Sequence, residues 1–101
     1  MSSEGKKILD RIFNLVDRIN PAQVKITKDV LAEVQRSLGI HGGFNSPHEG
    51  YAIIKEELDE LWADIKSQRP SKHMYHEAKQ IAAMAMVMML ECEKWKKEEE
   101  V

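Results

Sequence analysis

One cysteine, Cys92, is all this chain carries, so no intrachain disulfide can brace the fold. With four histidines it shows no zinc-ligand spacing. Proline occurs three times, at Pro21, Pro47 and Pro70, each where one helical pattern gives way to the next. Glycine occurs five times, and its one rich stretch, His41-Gly42-Gly43-Phe44-Asn45, is too short and lacks the flanking strand of a phosphate-cradling loop. Charge of one sign is missing too: the net value of −2, with lysine and arginine scattered, gives no electrostatic reason to expect a nucleic-acid polymer as partner. The longest apolar run, Ile81 to Leu90, is too short for a membrane crossing. The start, Met1-Ser2-Ser3-Glu4-Gly5-Lys6-Lys7, leads into an amphipathic helix and not the apolar region of a signal peptide. A cytoplasmic protein is the expectation.

What is present is helix. With 101 residues, 43% hydrophobic and 32% charged, the chain reads as one globular domain over 1–101. Four helices are expected. The first spans about Lys6 to Ile19, with Ile8, Leu9, Ile12, Phe13, Val16 and Ile19 at helical spacing, and Asn20-Pro21 ends it. The second takes Thr27 as N-cap, or starts nearer Ala22, buries Val30, Leu31, Val34 and Leu38, and stops at Gly39. Ser46-Pro47-His48-Glu49 announces the third with a cap, a proline at the first helical position and a capping box. Along it Tyr51, Ile54, Leu58, Leu61 and Ile65 form one apolar stripe edged by Trp62. Arg69-Pro70-Ser71 turns the chain into a fourth helix reaching about Lys97, apolar nearly all round from Ile81 to Leu90. That pattern implies burial on every side, which so small a bundle achieves most readily by oligomerisation. The charged tail 94–101 reads as a solvated end.

The informative feature is acidic. At about 100° per residue, Glu57 and Glu60 share one side of the third helix, and Glu77 and Gln80 repeat that spacing on the fourth. Facing each other, the two pairs would surround a small volume with three carboxylates and one amide. Hard oxygen donors of this kind suit Mg²⁺, or Mn²⁺, better than zinc or copper. Glu56 with Glu60, and Glu60 with Asp64, are like charges one turn apart and repel; a divalent cation would relieve them. Glu77 and Gln80 also share a face with Met84 and Val87, and polar groups entering a buried face need partners. In the structural alternative Glu77 pairs with a lysine near the bundle end and Gln80 bonds a backbone carbonyl.

The order Glu56-Glu57-Leu58-Asp59-Glu60, a spacer of sixteen residues, then Glu77-Ala78-Lys79-Gln80 resembles the signature of the MazG-like all-α nucleoside triphosphate pyrophosphohydrolases. The resemblance covers about 44–90. It implies an all-α, four-helix MazG-like bundle, a homodimer or homotetramer, and Mg²⁺-dependent cleavage of an NTP or dNTP to the monophosphate and pyrophosphate. Glu57, Glu60, Glu77 and Gln80 would hold the metal, and Glu56, or Glu57 in its place, would orient or deprotonate the attacking water. Lys55, Arg69, Lys72 and Lys79 are the nearest cations for the leaving pyrophosphate, with Lys55 and Lys79 taken as substrate-binding. Phe44 and Trp62 are candidate walls for the base, although Trp62 also reads as core. Gln80 departs from the family, which has Asp there; an amide oxygen can ligate Mg²⁺ but brings no charge. The alternative is a catalytically degenerate MazG-like nucleotide-binding or structural oligomer.

Overall fold

Proline and polar caps divide the chain into its helices. The computed structural model describes residues 3–18 and 20–100, without the side chains of Phe13, Val16 and Asp17. The expected apolar contacts of Phe13, Val16 and Ile19 therefore lie outside the described residues. Four α-helices follow in order: α1 (Ser3–Arg18), α2 (Pro21–His41), α3 (Pro47–Lys66) and α4 (Ser71–Glu99). No strand occurs among the described residues.

Of the two starts expected for α2, the one near Ala22 is found and the Thr27 cap is not, and the expected stop at Gly39 is corrected. Asn20, read from sequence only as the end of the first helix, caps the second: its Oδ1 accepts the Gln23 N–H at 2.9 Å, and Gln23 Oε1 accepts the Asn20 N–H at 3.0 Å. The cap starts the helix at Pro21, the first helical position, whose missing N–H is unneeded there. Thr27 lies inside, where its hydroxyl donates to the Gln23 carbonyl at 2.8 Å. Gly39 does not stop α2, because the helix runs on to His41 and ends at Gly42, whose φ of +71° suits glycine.

The α3 start matches its sequence signal in part. Ser46 Oγ accepts the Glu49 N–H at 3.1 Å, while the Glu49 carboxylate turns to Asn45 Nδ2 at 3.0 Å. The turn into α4 passes through Gln68 at φ +54°. There the Gln68 N–H reaches the Ile65 carbonyl at 3.1 Å and the Arg69 N–H reaches that of Asp64 at 3.0 Å.

Helix α4 is the spine, with α2 and α3 packed along it. Val34, Phe44, Ala83, Met84 and Val87 form the buried core, supported by Val30, Leu38, Ile53, Ile54, Met86 and Met88. Gly50 lets α3 approach: a Cβ there would meet the Met88 methyl and lie 2.6 Å from Phe44 Cδ2. Phe44 is thus enclosed by its own chain.

Burial differs from expectation in two places. From Ile81 to Leu90, α4 is buried on one side only, and Ala82, Ala85, Met89 and Leu90 are exposed. The apolar stripe of α3 also splits. Ile54 and Leu61 turn partly inward, while Tyr51 (65% exposed), Leu58 (52%), Trp62 (56%) and Ile65 (45%) face out. A stripe wider than one helix can cover has this result. Among the described residues α1 joins neither packing contact, and its Ile8, Ile12 and Leu15 are exposed. The radius of gyration is 17.6 Å, against about 13 Å for a compact chain of this length.

Candidate metal centre

Glu57 occupies the middle of the inward face of α3, one turn from Ile53, Ile54, Leu61 and Glu60. On the facing side of α4, Glu77 is half-buried one turn from Gln80. The antiparallel pairing of these helices brings Glu57, Glu60 and Glu77 together, with one oxygen of each within 4.8 Å of the others. Glu77 Oε2 is buried and accepts no hydrogen bond. An orphaned carboxylate oxygen is expensive, and here it lies in a cluster that shares its sign.

Proton affinity reflects this crowding. Burial, the Glu77 carboxyl and the charges of Glu60 and Glu77 push the Glu57 carboxyl from its ordinary 4.5 up to about 7. Its hydrogen bond with Glu77 chiefly raises Glu60 as well, with partial desolvation and the Glu77 and Glu56 charges adding. Three acid groups, oxygen donors only, within a cation's reach of one another fit a hard divalent ion.

A pH dependence follows. The folded form holds a proton on Glu57 that the unfolded chain has released, so between about 4.5 and 7 this group lowers stability as pH rises. Its full contribution is present below the lower value and gone above the upper one. Without metal, the Tm of the wild type should fall relative to that of Glu57→Gln across this window. Millimolar Mg²⁺ should reverse the trend, since a metal competes best for deprotonated ligands. Parallel Tm–pH curves for the two proteins in EDTA would refute this.

Glu33 and Arg36 were not anticipated from sequence. Glu33 is buried on the α2 face that packs α4, and Arg36 grips it through Nε at 2.9 Å and a second nitrogen at 2.5 Å. This fork holds the Glu33 carboxyl below its usual value against the opposing effect of burial, and the neighbouring Gln80 amide and the Lys79 charge act in the same direction. The signal was an i,i+3 acid–base pair beside Val34 and Ser37, indistinguishable in sequence from an exposed pair. Gln80 therefore stands between Glu33 and the acidic cluster.

Next to it a pocket of about 410 Å³ opens among three helices. Arg36, Ser37 and His41 line it from α2, Glu49, Ile53 and Glu57 from α3, and Gln80 and Met84 from α4.

The other sequence candidates are placed elsewhere. Glu56 is exposed on the outer flank of α3, bordering a shallow groove with Lys55, Asp59 and Glu60. Lys55 is tied to Asp59 at 2.9 Å on that flank, and Arg69 pairs with Asp64 at 3.6 Å. Trp62 faces outward with Lys66 over its ring, 5.6 Å from the centroid. Phe44 is core, and Lys79 faces α2, lining an apolar groove with Ile26 and Tyr75. The structure brings none of Phe44, Lys55, Trp62 and Lys79 to the carboxylates. Glu91 is buried under the Gly43 loop and paired with Lys94 at 3.2 Å. Comparison with protein-family models, curated proteins and solved structures finds no significant match.

Proposed function

We propose that this chain is a Mg²⁺-dependent nucleotide pyrophosphohydrolase that cleaves an NTP or dNTP to the monophosphate and pyrophosphate. The observation that carries the reading is the convergence of Glu57, Glu60 and Glu77 from two helices around a buried, unpartnered Glu77 oxygen. A triphosphate repels such a cluster unless a cation intervenes, so acidic groups beside a ligand-sized pocket make sense together with metal. These three residues would hold one or two Mg²⁺ (or Mn²⁺) ions, with the Gln80 amide oxygen as a further neutral donor. Bound there, the metal polarises a phosphoryl group and acidifies a water. Without metal the Glu57 carboxyl is raised to about 7, and a bound cation would displace that proton and leave Glu57 as a ligand, or, in place of Glu56, as the group that orients the water. Glu56, a sequence candidate for the same role, acts from outside by the charge it places on Glu60. A second copy of the chain would cover the outward apolar faces of α1, α3 and α4.

The test is pyrophosphate release from a panel of common and modified nucleoside triphosphates with Mg²⁺ or Mn²⁺. Release from at least one is expected, and none from any would sink the reading.

One observation favours a second reading, a nucleotide-binding module without catalysis: the half-buried position one turn from Glu77 is held by the neutral Gln80, where an aspartate would add charge to the metal cluster. Gln80→Asp separates the two. A wild type that turns over and a variant that gains little support the enzyme. Activity confined to the variant supports the module.

A further inference from the structure

The pocket beside the carboxylates has two unlike walls. Glu49, Glu57 and Gln80 border it from α3 and α4, and Arg36, Ser37 and His41 from α2. The α2 wall is rich in donors. Arg36 gives two N–H groups to Glu33, through Nε at 2.9 Å and a terminal nitrogen at 2.5 Å, which leaves three. None of those three has a hydrogen-bond partner among the described residues. The Ser37 hydroxyl and an imidazole N–H of His41, in either tautomer, add to them.

The guanidinium is held in place. Glu33 is buried and Arg36 half exposed, so a fixed carboxylate grips one edge of the plane and leaves another edge open. An anchored fork with a free edge suits the oxygens of a phosphoryl group. Other cations near the acids are engaged elsewhere: Lys55 on Asp59, Arg69 on Asp64, and Lys79 in the groove with Ile26 and Tyr75. Arg36 is the one permanent cation lining this pocket among the described residues. It shares its charge with Glu33, so it can hold an anion only when a cation masks the acids opposite. Metal on Glu57, Glu60 and Glu77 meets that condition.

We propose that Arg36 takes the leaving pyrophosphate, its open edge donating to oxygens of the β- or γ-phosphoryl group. The proposal rests on the reading of this chain as a pyrophosphohydrolase, but it is testable by binding alone. In that reaction the water's oxygen bonds to the α-phosphorus and one of its protons passes to solvent. The bond from that phosphorus to the oxygen it shares with the β-phosphorus breaks, and the electron pair stays on the pyrophosphate. The Arg36 N–H groups meet this charge as it develops.

The probe is inorganic pyrophosphate with Mg²⁺, titrated into the full chain by calorimetry and followed by NMR of the arginine side-chain N–H groups. The Arg36 signals should move, and those of Arg69, paired with Asp64, should not. Arg36→Lys keeps a cation beside Glu33 but loses the fork. It should weaken pyrophosphate about tenfold, the loss of one charge-assisted hydrogen bond, while Mn²⁺ affinity and helicity hold. Nucleoside monophosphate, the other product, should bind both proteins alike. Unchanged pyrophosphate affinity in the variant, unmoved Arg36 signals, or no pyrophosphate binding by the wild type would each overturn the proposal. Equal weakening of both products would place Arg36 at the α-phosphate and overturn it too. Pyrophosphate held through Arg36 without cleavage of any nucleoside triphosphate would remove the proposed enzyme and leave the anion site standing. Cleavage with Arg36→Lys as efficient as the wild type and pyrophosphate bound as tightly would remove Arg36 alone.

Discussion

Glu57→Gln and Glu60→Gln are each expected to lower pyrophosphate release at least about a hundredfold, since a lost metal ligand should cost no less than a lost supporting residue. The same changes should leave the helical circular-dichroism signal intact. In EDTA at pH 8 they should raise the Tm, because each removes a like charge from a cluster with a buried, unpartnered oxygen. This pairing of lost activity with gained stability distinguishes a site from a structural network. If the carboxylates merely supported the fold, neutralising one would lower the Tm with or without metal. Isothermal titration with Mn²⁺ provides the matching check, and unchanged affinity in both variants would refute the assignment of ligands.

Leu58→Glu combined with Trp62→Glu should convert the protein to a monomer of 11.6 kDa by light scattering. Tyr51, Leu58, Trp62 and Ile65 recur along α3 at intervals of seven, four and three residues, the spacing of a seam between two helices. The exposed Ile8, Ile12 and Leu15 of α1 repeat the intervals of four and three. Neither row is covered within the chain, and α1 packs on no other helix among the described residues. If association closes these faces at a hundred times its Kd, it contributes about 2.7 kcal/mol. Breaking it should lower the Tm by about 10–20 °C in a domain of this size. The wild-type Tm should rise with protein concentration and that of the double variant should not. A wild type already monomeric at micromolar concentration would refute self-association.

The two proposals draw on different parts of what the sequence made legible. Ser46-Pro47 and Arg69-Pro70 placed the ends of α3 and α4 because each boundary is enforced by one residue's backbone chemistry. Asn20-Pro21 was read only as a stop, since a helix-ending pair and a helix-starting cap use the same residue types. Glu57, Glu60 and Glu77 could be grouped from spacing alone because two helices joined by a tight turn must run antiparallel. Arg36, His41 and Glu49 could not, since a pocket among three helices depends on how far each is rotated. Trp62 shows the same limit: periodicity finds an apolar stripe but not which half faces the chain's own core.

The turn at Gln68 carries a consequence for how such a centre can change. Glu60 and Glu77 stand equally far from the turn's midpoint, and so do Glu57 and Gln80. The hairpin acts as a caliper that sets each acid and its opposite number at the same depth from the turn. A residue added to one arm alone would swing its acids about 100° off the shared axis. Matched additions of whole turns to both arms would slide the centre outward without dismantling it. The hinge of the caliper, and not the acids themselves, is then what dictates how many residues separate them.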